Sequence, residues 1–154
     1  MNYQYLDSPI GQLRLVSDGQ HITAIEFEGM HHTDQRDTEQ KDGPLEECAR
    51  QLGEYFNGTR RDFDLPLAPG GTEFQNAVWD ALREIPYGAL RSYRDVAESL
   101  ANPKAVRAVG AANGRNPIPI VVPCHRVVGS DGALTGFAGG LAAKKKLLEL
   151  EGAI

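Results

Sequence analysis

Cys124, His125 and Arg126 set a thiol, an imidazole and a guanidinium side by side within NPIPIVVPCHRVVGSDGALTGFAGG, residues 116–140. Pro117, Pro119 and Pro123 remove backbone donors and fix φ, so the apolar strand that they bracket cannot be a central one. It is too apolar for an exposed loop, which leaves a buried, rigidly positioned turn. A thiol held after such a turn, beside two basic side chains, has the setting that favours thiolate over thiol. Cys124 is therefore the candidate nucleophile. In an extended segment neighbouring side chains point to opposite sides, so His125 would take the thiol proton through a water. An imidazole base also needs a group to fix its tautomer. The C-terminal helix LAAKKKLLELEG supplies Glu149 and Glu151, and Glu151, beside the helix end, is the expected partner. Without the neighbouring cysteine, the same residues would read as a filled core histidine and a solvated helix glutamate.

The elements that must position this turn belong to a chain of 154 residues, 41% hydrophobic, with a net charge of −5. That composition suits one domain, or two small ones, and excludes a disordered or collagen-like chain. No apolar run approaches the ~20 residues of a membrane span, and the N-terminus lacks the order of a signal peptide, so a cytoplasmic protein without membrane contact is expected. Cys48 and Cys124 stand too far apart for a CxxC site, which supports neither a disulfide scaffold nor a zinc ribbon. Cys48 lies on an apolar helical stripe and reads as a core residue. His21, His31, His32 and Cys48 lack ligand spacing, so no metal is expected.

Charge divides the chain. Residues 1–70 carry 6 Lys and Arg against 13 Asp and Glu, a net −7. Residues 71–154 carry 10 against 8, a net +2, with basic residues between Arg83 and Arg126 and again at Lys144 to Lys146. Three short strands, YQYLD, QLRLVSD and HITAIEFE, predict an antiparallel meander. Residues 30–43 read as a mobile loop, a helix runs from Pro44 to Asn57-Gly58, and RDFDLPL reads as a further strand. The break at Ala68-Pro69-Gly70-Gly71 puts domains at 1–68 and 69–154.

Beyond the break, Thr72 and Gln75 form a capping-box pattern that starts a helix ending before Pro86. Ser92 caps a second helix, Tyr93 to Leu100, and Asn102-Pro103 starts a third, Lys104 to Asn113, stopped by Gly114. Two short helices joined by a tight turn, with Lys104, Arg107 and Arg115 on or beside the second, fit a helix-turn-helix pattern. By itself this is a weak sign of nucleic-acid binding.

The sequence resembles the O6-alkylguanine-DNA alkyltransferases, also called methylated-DNA–protein-cysteine methyltransferases. The resemblance rests on PCHRV at 123–127, the asparagine-proline of NPIPI, AVRAVGAANG at 105–114, GFAGGL and LLELEG. It covers residues 72–152, and SPIG with the meander agrees with the family's looser N-terminal domain. It implies an α+β fold: an N-terminal ribonuclease H-like antiparallel sheet with a helix, then a mainly helical domain with a helix-turn-helix or winged-helix-like motif. The implied activity is direct reversal of DNA damage. The alkyl group of O6-alkylguanine, and in some members O4-alkylthymine, passes from a flipped base to a cysteine that is never regenerated.

Carried onto this chain, Cys124 resembles the acceptor, His125 the water-linked base, Glu151 its orienting carboxylate and Asn116 the amide bracing the turn. Tyr93 resembles the tyrosine that approaches the guanine and helps to rotate its phosphate, and Arg107 the finger that fills the space of the flipped base. Lys104, Ala105, Arg115 and Arg126 would join Arg107 against double-stranded DNA, entered from the minor groove by a monomer that can assemble cooperatively. Tyr93, Val127, Phe137, Ala138 and Gly139 would line the substrate site, and no cofactor is implied. Ala138 stands where some relatives carry serine, and Phe137 where tyrosine is frequent. Two other classes stay open: a lesion sensor that binds without transfer, and a cysteine hydrolase or acyltransferase, which needs its base in direct contact with the thiol.

Overall fold

The computed structural model describes residues 1–32 and 34–154, which divide into two units, Met1–Pro69 and Gly70–Ile154. In the first, β1 (Asn2–Ser8) and β2 (Gly11–Ser17) pair antiparallel across a two-residue turn. Gly11 closes that turn at φ +106, a conformation that only glycine adopts freely. The strand β3 (Ile22–Glu26) continues the meander. Residues 30–43, expected as loop, contain a two-residue strand, β4 (Thr38–Glu39), which pairs parallel to β1 and gives the order β3-β2-β1-β4; Thr33 lies outside the described residues.

The helix α1 (Gly43–Phe56) starts at Asp42, whose side chain accepts from the Leu45 amide. The same carboxylate receives Asn2 Nδ2 at 2.9 Å and the Ser17 hydroxyl, tying the helix start to β1 and β2. Leu13, Leu15, Ile22, Leu45, Leu52 and Tyr55 form the core, and Cys48 is buried among them, its thiol pushed up to about 12 by burial. Residues 61–67 do not form the expected strand. Only Leu67 bridges to Ile22, because Pro66 has no amide to extend a ladder and offers its carbonyl to the Ile22 amide instead, at 2.8 Å.

In the second unit, α2 (Glu73–Arg83) opens with the reciprocal Thr72 and Gln75 capping box. The strand β5 (Arg91–Ser92) leads into α3 (Tyr93–Ser99), which has a second capping box, between Ser92 and Asp95. The helix α4 is shorter than expected, Val106–Gly114, with no side-chain cap at Ala105. Pro103 and Lys104 instead occupy a turn in which the Ala105 amide reaches the Asn102 carbonyl at 3.0 Å, so Lys104 precedes the helix. Gly114, expected as the stop, is the last helical residue. The turn out of α3 passes through Ala101 at φ +56.

After α4 the chain folds into turns up to Cys124 and then forms β6 (Val127–Val128), parallel to β5. A loop and α5 (Leu141–Leu150) complete the unit. Val78, Trp79, Leu82, Val96, Val109, Ile118, Leu147 and Leu148 are its core, and Trp79 donates its indole N–H to the Ala112 carbonyl at 2.8 Å. The fold is α+β, and no helix among the described residues is long and apolar enough to cross a membrane.

Candidate active site

Residues 116–123, expected as a buried and rigidly positioned turn, are consecutive turns. Asn116 organises them: its Nδ2 donates to the Val122 carbonyl at 2.8 Å and its Oδ1 accepts from the Ile118 amide at 3.0 Å. The Val122 amide returns to the Ile118 carbonyl at 3.0 Å, and the Cys124 amide to the Val122 carbonyl at 2.8 Å. Ile120, at the apex, lies at φ +74 and is almost fully buried. A β-branched side chain in the left-handed region is strained by roughly 1–3 kcal/mol, held here by the packing of Ile118, Val121 and Val122. That strain and the asparagine clamp set where the thiol points.

Cys124, His125 and Arg126 form one 3-10 turn rather than an extended segment. Three residues per turn still send adjacent side chains in different directions. His125 is fully buried, and its Nε2 lies 2.7 Å from Glu151 Oε2, while its Nδ1 is buried with no partner among the described residues. Glu151 caps the C-terminus of α5 and is itself buried.

Arg126, expected against DNA, faces inward. Its Nε donates to Glu151 Oε1 at 2.8 Å, its Nη2 to Oε2 at 3.1 Å and its Nη1 to the Ile85 carbonyl at 2.7 Å. It is only 6% exposed, so it has no face left for a phosphate. Lys144, which by sequence belongs to a basic patch, is fully buried, and its Nζ donates to the carbonyls of Val127 and Thr135, each at 2.7 Å. The signal is its spacing: Lys144 shares the buried side of α5 with Ala143, Leu147 and Leu148. Thr135, which no sequence motif singles out, lies with its Oγ1 2.7 Å from the Tyr93 hydroxyl.

The electrostatics reverse one expectation. Burial pushes the Cys124 thiol up to about 11; a hydrogen bond with the Asn116 side chain and the charge of Lys144 oppose this without overcoming it. The resting residue is a thiol, not a thiolate. Burial also lowers the His125 pKa against the pull of Glu151, so the imidazole is neutral, and it lowers that of Lys144. The remaining sequence candidates are more open. Lys104, Arg107, Arg115 and Ala138 are exposed, Ala105, Phe137 and Gly139 are half-buried, and Val127 is buried. Among the described residues, no group of three or more His, Cys, Asp or Glu is arranged to hold a metal ion.

Comparison with known proteins follows the same division of the chain. Residues 1–69 match the ribonuclease-like domain of 6-O-methylguanine DNA methyltransferase, and residues 73–153 match its DNA-binding domain. A methylated-DNA–protein-cysteine methyltransferase of Methanosarcina acetivorans is 49% identical over 99% of both chains. That of Haemophilus influenzae is 50% identical over 97% of this chain and 85% of its own. Among solved structures, Mycobacterium tuberculosis OGT in complex with DNA superposes with a TM-score of 0.92 at 44% identity, covering 99% of this chain and 94% of that one. The O6-methylguanine-DNA methyltransferase of Pyrococcus kodakaraensis superposes at 0.63 with 26% identity, over 97% and 99%. A DNA-binding domain that carries the buried cysteine, histidine and glutamate, and a full-length match to these relatives, place the chain in the 6-O-methylguanine DNA methyltransferase family.

Proposed function

We propose that the protein repairs O6-alkylguanine in double-stranded DNA by moving the alkyl group, once, to Cys124. The observation that carries this reading is the ring of His125, the residue after Cys124 in the chain: Nε2 is engaged by Glu151, and the buried Nδ1 is left without a partner among the described residues. The glutamate fixes the tautomer with the proton on Nε2, so Nδ1 presents a lone pair. A water held there would carry the thiol proton to the ring. Because the thiol rests protonated, its deprotonation belongs to the reaction itself.

In the step, Cys124 Sγ forms a bond to the alkyl carbon as the bond from that carbon to O6 breaks. The electron pair stays on guanine, the thiol proton passes through water to His125, and the imidazolium is stabilised by Glu151. The imidazolium gives up the proton that it received as the guanine takes one up, so the net transfer is of the thiol proton to the base, which leaves as ordinary guanine. The thioether formed has no route back to a thiol, so each molecule acts once. Tyr93 donates to the flipped base, which relieves charge developing on the ring. Base extrusion costs a few kcal/mol, least for a weakened pair, which favours the lesion.

Residues 69–154 hold both this chemistry and the DNA contact. Lys104 and Arg115 meet phosphates, α4 enters the minor groove, and Arg107 occupies the space vacated by the base. Intact-protein mass spectrometry after incubation with a duplex carrying O6-methylguanine tests the proposal. One added methyl group on the Cys124 peptide, saturating at one per molecule and absent in Cys124→Ala, is the expected result. Unchanged mass with retained binding would instead identify a sensor, and free released product a hydrolase.

A further inference from the structure

Tyr93 stands at the first residue of α3, and two contacts fix its ring. The Gly110 Cα faces it, since a Cβ built there would lie 3.8 Å from Cδ1, and its hydroxyl lies 2.7 Å from Thr135 Oγ1. Thr135 belongs to the glycine-rich loop between β6 and α5, and that loop is held at the same residue from the other side. Lys144 Nζ donates to the Thr135 carbonyl at 2.7 Å and, with a second hydrogen, to the Val127 carbonyl at 2.7 Å. Val127 closes the 3-10 turn that begins at Cys124, and its amide donates to the Cys124 carbonyl. A continuous polar chain therefore runs from the tyrosine hydroxyl through Thr135 and a buried ammonium to the cysteine turn.

We infer that Thr135 is the positioning residue of Tyr93, its hydroxyl fixing the phenol relative to Cys124 so that the phenolic proton is directed at the substrate base. The inference rests on the reading of Tyr93 as the donor to that base. A phenol oxygen that accepts from Thr135 keeps its own proton for a second partner, and two hydrogen bonds in series polarise one another. Lys144 anchors the threonine main chain, so the hydroxyl is presented from a fixed point and not from a free loop. Thr135 is half-buried in a segment dominated by glycine and alanine.

Single-turnover transfer from an O6-methylguanine duplex, measured across DNA concentrations, separates positioning from binding. Thr135→Val keeps the shape and removes the hydroxyl. It should lower the limiting transfer rate about tenfold, the loss of one hydrogen bond, and leave DNA affinity unchanged. Thr135→Ser should return the rate to within about twofold of the parent. Tyr93→Phe should be slow as well, and adding Thr135→Val to it should cost nothing further, because the threonine acts only through the hydroxyl already removed.

A Thr135→Val protein that transfers at the parent rate overturns the inference, as does a double variant in which the two losses multiply. A Thr135→Ser as slow as Thr135→Val also overturns it, since the methyl group and not the hydroxyl would then matter. If Tyr93→Phe reacts at full speed, the reading of Tyr93 fails and the inference with it; if Tyr93→Phe is slow and Thr135→Val is not, the inference alone fails. Thermal melting of each variant guards against misfolding, and Thr135→Ala replaces Thr135→Val in the same cycle should the latter not fold.

Discussion

Arg126 grips both oxygens of Glu151, at 2.8 and 3.1 Å, two residues after the cysteine in the chain. Its remaining nitrogen holds the Ile85 carbonyl at 2.7 Å, near the end of α2. The fork of a guanidinium matches a carboxylate in a way that an ammonium cannot. One oxygen of the glutamate thereby serves two cations in turn, the permanent one of Arg126 and the transient one of His125. The arginine gives the buried carboxylate a partner on both oxygens and aims it at the imidazole.

Breaking such a pair strands a buried charge. Arg126→Met should lower stability by about 3–5 kcal/mol in urea denaturation, with Arg126→Lys less damaging than the full removal of charge. Because Arg126 is buried, neither change should alter the slope of DNA affinity against salt. A reduced slope in Arg126→Lys would return the residue to the DNA surface.

The exposed residues should behave in the opposite way. Lys104→Ala and Arg115→Ala should each reduce the salt slope by about 1 without changing stability, as expected for single phosphate contacts. Arg107→Ala should slow repair of duplex DNA far more than reaction with free O6-benzylguanine, which needs no base extrusion. Equal losses on both substrates would remove the finger role from Arg107.

Stability against pH follows from the shifted groups at the core. His125 has a folded pKa below its ordinary 6.5, so the unfolded chain binds the extra proton and stability falls as pH drops through about 6.5. The thiols shift upward, Cys124 to about 11 and Cys48 to about 12. The unfolded chain releases these protons from about pH 9, so the thiols withdraw stability as pH rises past 9. Lys144, with its pKa lowered, works against this at the alkaline end. The thiol contribution is isolated by comparison: Cys48→Ala should lose stability less steeply than the parent between about pH 9 and 10. Parallel urea midpoints across that range would show that Cys48 does not titrate as its burial requires.

What can be read from the sequence is what short-range chemistry determines. Thr72 and Gln75 are three residues apart, and one turn of helix is enough to bring them together. Cys124, His125 and Glu151 are readable for a different reason, since a thiol, an imidazole and a helix-end carboxylate have few other ways to be useful together. The inward turn of Arg126 is not legible, because nothing in a tetrapeptide says that its side chain turns back toward the end of α5. Ile120 is invisible because β-branched residues avoid positive φ, and only the completed packing of the turn holds it there. Lys144 lies in plain view on an apolar stripe, and only its residue type assigns it to the surface.

Ala101 offers a test of strain outside the site. It is exposed at φ +56 in the turn between α3 and α4, where an L side chain costs roughly 1–2 kcal/mol and glycine costs less. The added freedom of glycine in the unfolded chain returns part of that gain. Ala101→Gly should therefore stabilise the protein by about 0.5–1 kcal/mol while leaving duplex affinity and transfer unchanged. A destabilised variant would mean that the methyl group packs against something that compensates for the strain.

Glu151→Gln tests the triad with little change of shape. A glutamine oxygen can still accept the Nε2 proton of His125, so the tautomer survives, but the neutral amide stabilises an imidazolium far less than a carboxylate. The pull that keeps the His125 pKa from falling further is lost, and the ring becomes a weaker base when the thiol proton must leave. Transfer should slow by about tenfold to a hundredfold, the range of a charge-assisted hydrogen bond, with DNA affinity unchanged. Arg126, left with a neutral partner, should make the same variant less stable, so transfer is to be measured well below its melting temperature. A Glu151→Gln protein that transfers at the parent rate would show that the carboxylate serves the fold through Arg126 and not the reaction through His125.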